Sequence, residues 1–255
     1  MAVLVFIIGF VLLKGIPRLS PELFAPHYTS ENVSLLPALV NTLFMTLLAL
    51  LIAAPIGIFA AVFLVEYTDH EGKLVGLIRL TAETLSGIPS IVYGLFGMLF
   101  FSTALGWGYS MLAGAFTMAI MILPLIMRTS EEALISVPRS YREASFGLGA
   151  GKLRTIFKVV LPAAIPGILS GVILAVGRVA GETAALIFTA GTVAKYAGFM
   201  DSGRTLAVHM YVLSNEGLHM DQAYATAVIL LIFVFAMNEL SEFAARKISK
   251  GHENE

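Results

Sequence analysis

Two arginine–glutamate pairs stand inside otherwise apolar stretches of this chain, Arg178 with Glu182 and Arg79 with Glu83. Residues four apart share one face of a helix, so each pair could close on itself. The order Arg-then-Glu is the weaker one for such a pairing, so self-pairing is not a complete account. An arginine at the centre of a membrane span costs at least ~2.5–3.5 kcal/mol and should face the interior of the helix bundle. Two uses remain open for Arg178: a buried salt bridge holding helices or subunits, or a guanidinium serving a polar path. The run Gly147-Leu148-Gly149-Ala150-Gly151-Lys152 invites comparison with a phosphate loop, but Phe146 occupies the first required glycine and Leu153 follows the lysine. No buried strand precedes it, so nucleotide hydrolysis is not expected here and the chain is read as a non-enzyme. His27, His70, His209, His219 and His252 never approach metal-ligand spacing, and neither metal nor cofactor is expected. His209 is read as a loop or interface residue.

The elements that must position these charges are membrane spans. Of 255 residues, 58% are hydrophobic and 13% charged, and the mean hydropathy is +0.87. Soluble domains are nearer 45–50% apolar and about 25% charged, so this is an integral membrane protein. No charged residue falls between Glu31 and Glu66, or between Glu83 and Arg128. A crossing needs roughly 20 apolar residues, and the second interval has room for two. The absence of cysteine excludes disulfides and thiolate metal sites and fits a bacterial inner membrane. A net charge of −1 gives no sign of a nucleic-acid partner. The reading is a single all-α domain over 1–255 with six spans at about 1–16, 36–65, 73–101, 110–128, 164–190 and 222–245. The first run lacks a basic leader region and a cleavage site, so it reads as a short or trimmed span and not a signal peptide. With both termini cytoplasmic, eleven Lys and Arg lie inside against four outside (Lys14, Arg18, Lys195 and Arg204), which satisfies the positive-inside rule.

The segment 129–163 is then a polar, basic cytoplasmic connection between spans. Ser136-Val137-Pro138 should break the preceding helix, and Ser140 is an N-cap candidate with Glu143 in the capping-box position. Gly147, Gly149 and Gly151 should end that short helix. An amphipathic stretch (Leu153, Ile156, Phe157, Val160) leads to Leu161-Pro162, and Pro166 should open the next span.

Glu143-Ala144-Ser145, then Gly149, Val159 and Leu161-Pro162, resembles in its spacing the EAA motif of ABC importer permeases. Ser145 and Val159 depart conservatively from the usual Ala and Ile. Gly87-Ile88-Pro89-Ser90-Ile91-Val92-Tyr93-Gly94, Gly181-Glu182-Thr183-Ala184 and Gly203–His209 are similar to signatures of phosphate-import permeases of the PstA branch. The resemblance runs from about Leu35 to the C-terminus.

It implies the type I (MetI-like) importer fold, with a homologous permease subunit as partner. It also implies two ATP-binding subunits carrying the ATP and Mg below, and a soluble extracytoplasmic phosphate-binding protein outside. Glu143, Ala144, Ser145, Gly149, Leu161 and Pro162 would then couple to the ATPase. Arg178 would lower the barrier for phosphate, since guanidinium presents bidentate donors to an oxyanion, with Glu182 restraining it between transport events. Arg79, Glu83, Gly87 and Pro89 would form a kinked, pore-proximal segment, with Arg79–Glu83 a structural pair. The rivals are a permease for sulfate or molybdate, an ion-coupled secondary transporter, which should show inverted repeats, and a membrane-embedded enzyme.

Overall fold

Apolar runs without charge become helices here because a backbone in lipid must satisfy its own hydrogen bonds. The structure, a computed structural model, describes residues 2–68 and 72–253, with side chains to 243. His70 therefore lies outside the described residues, as do the side chains of His252, Arg246, Lys247 and Lys250.

Helix α1 (Ala2–Gly15) is followed by two short 3-10 turns and α2 (Leu36–Glu66). Next come α3 (Lys73–Ser86) and α4 (Ser90–Gly97), the latter continued by a π-helical turn over Met98–Ala104, and then α5 (Met111–Ser136). The amphipathic α6 (Arg139–Gly147) precedes α7 (Lys152–Thr155), which runs through a π segment, Ile156–Val160, into α8 (Leu161–Ala180). The chain ends with α9 (Ala184–Thr189), α10 (Leu206–Glu216) and α11 (Met220–Glu253). No strand occurs among the described residues.

Four helices are long and apolar enough to cross a membrane, Leu36–Tyr67, Met111–Ser136, Lys152–Ala180 and Met220–Phe243, and the broken pair α3 and α4 can supply a fifth. Helix α1, at 14 residues, is ~21 Å long and shorter than a ~30 Å hydrocarbon core. The all-α architecture expected above is thus present, with four or five of the six expected spans long enough to cross, and with three further differences. The expected span 73–101 is two helices, because Pro89 has no N–H to continue the ladder and holds Ile88 out of the helical region. The expected span 164–190 starts at Lys152 and stops at Ala180, before the Gly181–Thr183 break. Pro166 lies inside α8 and does not start it. The π turn just before Pro162 widens the helix where the proline ring would crowd the carbonyl of the preceding turn.

Contacts divide the chain into two units that each include parts of the long helices. Unit 1 comprises Met1–Ala49, Pro89–Ala119 and Gly177–Ala236. Its apolar core gathers Leu23, Leu35, Ala38, Leu206 and Ala225. Helix α4 approaches α9 closely because Gly94 has no side chain: a Cβ there would lie 2.8 Å from Ala185 Cα. Unit 2 comprises Leu50–Ile88, Ile120–Val176 and Met237–Glu255. Its core is built from residues including Leu64, Val65, Leu134, Ile156, Val160 and Ile168. Gly171 lets α8 lie against Thr129 of α5, where a methyl would collide with the hydroxyl. Small residues at helix crossings suit lipid, where close packing replaces the hydrophobic driving force.

Candidate functional site

The short helix α6 carries the first group of candidate residues. Its start differs from expectation: Pro138 is the N-cap, with φ −55 and ψ 138, and no side chain caps the helix. Helical geometry begins as soon as the proline is passed, so Ser140 sits within the first turn. The end is as expected and can be assigned to a motif. Ala150 N–H donates to Ser145 O at 3.1 Å and Gly149 N–H to Phe146 O at 2.9 Å, with Gly149 at φ +84. Those two bonds are a Schellman cap, which needs a left-handed residue at the glycine position.

Glu143, Ala144 and Gly149 are exposed, along with Tyr141, Phe146 and Leu148, the last 91% accessible. Ser145 turns the other way, its Oγ 2.8 Å from Oγ1 of the buried Thr155. Leu161 packs on the core of unit 2 and Pro162 is half-buried beside it in sequence. A polar-to-apolar helix thus shows one face outward while its other face is tied down.

Arg142 makes that attachment. Its Nε and Nη2 donate to Glu66 Oε1 at 3.0 and 2.7 Å, Nη1 donates to Val137 O at 2.9 Å, and Nη2 to Leu134 O at 3.1 Å. Neither Arg142 nor Glu66 stood out from sequence, because they are 76 residues apart.

Arg178 stands in the last turn of α8, not midway along a span. Helix C-termini favour cations, so the dipole offsets part of the cost of placing it there. It is half-buried and, among the described residues, has no ion pair or hydrogen bond. Tyr93 of α4 lies within electrostatic reach of it. Glu182 does not continue the same helical face, since the helix has ended. Its Oε1 accepts the Ala185 N–H at 3.1 Å and so caps α9. Glu182 is therefore committed to its own side of the break.

Arg79 is paired across helices. Its Nε donates to Glu131 Oε1 of α5 at 2.7 Å, where the i,i+4 rule had suggested Glu83. Glu83 is exposed and shares with Arg79, Ser86, Arg128, Glu131 and Glu132 the wall of a 340 Å³ cavity in unit 2. Two arginines against three glutamates make that wall a poor receptor for an anion. Gly87 has φ −84, a conformation open to any residue, so the break rests on Pro89.

Unit 1 holds a polar network that the sequence reading missed. Asn41 Nδ2 donates to Lys195 O at 2.8 Å and Arg204 O at 3.2 Å, and its Oδ1 accepts from Ala197 N at 3.1 Å. Thr42 Oγ1 accepts from Leu206 N at 2.8 Å, capping α10. The signal was available: an adjacent amide and hydroxyl in a span with no other strongly polar group nearby. His209 is a fully buried residue and not an interface one, and its ring stands perpendicular to that of Tyr28, over which Arg204 stacks at 4.6 Å. Burial, reinforced by the Arg204 charge, pushes the His209 imidazole down to about 3. No group of three or more His, Asp or Glu able to hold a metal occurs among the described residues.

Residues 53–251 match the family described as binding-protein-dependent transport system inner membrane component. The chain is similar to a probable ABC transporter permease protein, YqgI, of Bacillus subtilis, at 33% identity over 98% of this chain and 91% of that one. It is also similar to the phosphate transport system permease protein PstA of Haemophilus influenzae, at 33% identity over 92% of this chain and 84% of the relative. In fold it resembles a chain of the inward-facing MetNI methionine ABC transporter, with a TM-score of 0.64 at 20% identity, covering 84% of this chain and 94% of that one. The all-helical composition, the apolar spans and the match over most of its length agree, and the chain belongs to the binding-protein-dependent transport system inner membrane component family, as a multi-pass permease of the PstA type.

Proposed function

We propose that this chain, read as one permease domain over 1–255, is a translocation subunit of an ATP-driven importer of inorganic phosphate in a bacterial inner membrane. The observation that carries the substrate is the 33% identity, over 92% of the chain, to a protein named as a phosphate transport permease. A second permease of the same fold would complete the path, and an extracytoplasmic phosphate-binding protein would deliver the anion. Two ATP-binding subunits would hold ATP and magnesium and seat against the exposed face of α6 around Glu143, Ala144 and Gly149, with Ser145, Leu161 and Pro162 fixing that helix to α8. Both termini would be cytoplasmic, and lipid would cover the apolar helix faces.

Within the chain, Arg178 is the residue we assign to the anion. It is half-buried and has no counter-charge among the described residues. The Glu182 carboxylate that could have neutralised it is spent on α9. Helices α4 and α9 both restart after breaks and run side by side; the α4 N-terminus, with no acidic residue in its first turn, adds positive potential to that region of unit 1, whereas the Glu182 carboxylate offsets that of α9. Arg79 is assigned to holding α3 against α5 and Pro89 to breaking the helix after it, and neither these two nor Glu83 and Gly87 are assigned to the anion. Arg178→Lys and Arg178→Ala complexes, purified and shown to assemble, should both lose phosphate uptake, because a point charge does not replace a bidentate fork. Undiminished uptake in both removes Arg178 from the path, and comparable uptake of sulfate or molybdate by the unaltered complex favours the other oxyanion importers.

A further inference from the structure

Arg142 is the residue before Glu143, yet the two face opposite ways. Glu143 is exposed, whereas the Arg142 and Glu66 side chains are only 18% and 10% accessible. One guanidinium, carried on α6, joins the ends of two other helices. Glu66 is the last residue of α2, Leu134 lies in the last turn of α5, and Val137 follows that helix directly. Its four donations leave little freedom: two go to one carboxylate oxygen and two to carbonyls, those of Leu134 and Val137. Those carbonyls belong to a helix C-terminus, where the last acceptors lack partners within the helix and a cation is favoured. A planar fork with fixed donor directions suits such a junction, and a lysine could reach only part of it.

We propose that Arg142 is a positioning residue that converts displacement of α6 into displacement of α2 and α5, with Glu66 as its anchor. The proposal rests on the reading that α6 seats an ATP-binding subunit. A short helix tied to its neighbours by chain alone would absorb a push by bending at Pro138 and Gly151. A helix clamped by four short bonds between half-buried partners passes the push on as rigid-body motion. The clamp would therefore set how much transport each ATP yields, and not whether the ATPase binds.

The test uses the complete complex in proteoliposomes, with ATP hydrolysis and phosphate uptake measured per purified complex. Glu66→Gln keeps the acceptor and removes the charge, while Arg142→Lys keeps the charge and removes the fork. Each should retain the ATPase and its hydrolysis while phosphate imported per ATP falls about fivefold or more, the lower end of usual coupling factors. An unchanged ratio in either assembled variant overturns the proposal, as does loss of the ATPase in proportion to uptake, which is what a purely structural role produces. If Glu66→Gln yields no complex, Arg142→Lys decides the matter. A parallel Glu143→Arg variant separates the two claims: it should release the ATPase. If the ATPase stays bound there, the seating reading fails. If it is released while the clamp variants keep the normal ratio, only the clamp fails.

Discussion

Replacing Gly149 by alanine isolates one backbone angle. Gly149 sits at φ +84 in the cap of α6, and a Cβ built on it meets no atom within 4 Å. The cost is therefore conformational alone, roughly 1–2 kcal/mol for a left-handed L-residue. That corresponds to a factor of about 5–30 in the closed-to-open ratio of the cap. The amides that report it are Gly149 and Ala150, bonded to Phe146 O and Ser145 O. Hydrogen exchange at these amides should speed up by the same factor. Gly147 supplies the control, since it too has open space around its Cβ but no positive φ. Gly147→Ala should leave exchange unchanged or slow it, because glycine in a helix is about 0.5–1 kcal/mol worse than alanine. Equal effects of the two substitutions would refute the argument that the motif glycine is there for its backbone angle.

Two further outcomes are expected in unit 1. Asn41→Ala removes three hydrogen bonds that hold residues 195–204, at about 1 kcal/mol each; limited proteolysis should then cut that loop first, and an unaltered cleavage pattern counts against Asn41 as its strap. The His209 imidazole, held down to about 3, binds fewer protons folded than unfolded, so stability should fall as pH drops from 6.5 toward 3. The slope is about 1.4 kcal/mol per pH unit at most. Thermal unfolding of the detergent-solubilised protein against pH should show it, and His209→Leu should flatten that part of the curve.

The sequence revealed what is local and hid what is distant. The end of α6 was legible because a glycine cap acts within a turn of itself, whereas Ser140 and Pro166 lie inside helices that the same local rules would start there. The broken spans were half visible: Pro89 announced a disturbance, but a continuous apolar run cannot tell a kink from a stop. Gly181 and Glu182 read as span interior for the same reason. Helix-face spacing pairs Arg79 with Glu83 because it sees only four residues ahead, whereas Glu131 is 52 away. The Arg142–Glu66 clamp was missed on identical grounds. Asn41 gives no signal to a reading by charge, since an amide in a span carries none.

The most direct test of the whole account is uptake of labelled phosphate into proteoliposomes containing this chain, its homologous permease and the ATP-binding subunits, with the phosphate-binding protein supplied on the outer side. Accumulation should require enclosed ATP and all of the subunits, and should disappear in the Arg178→Ala complex. Accumulation by this chain alone, or without ATP, would contradict it.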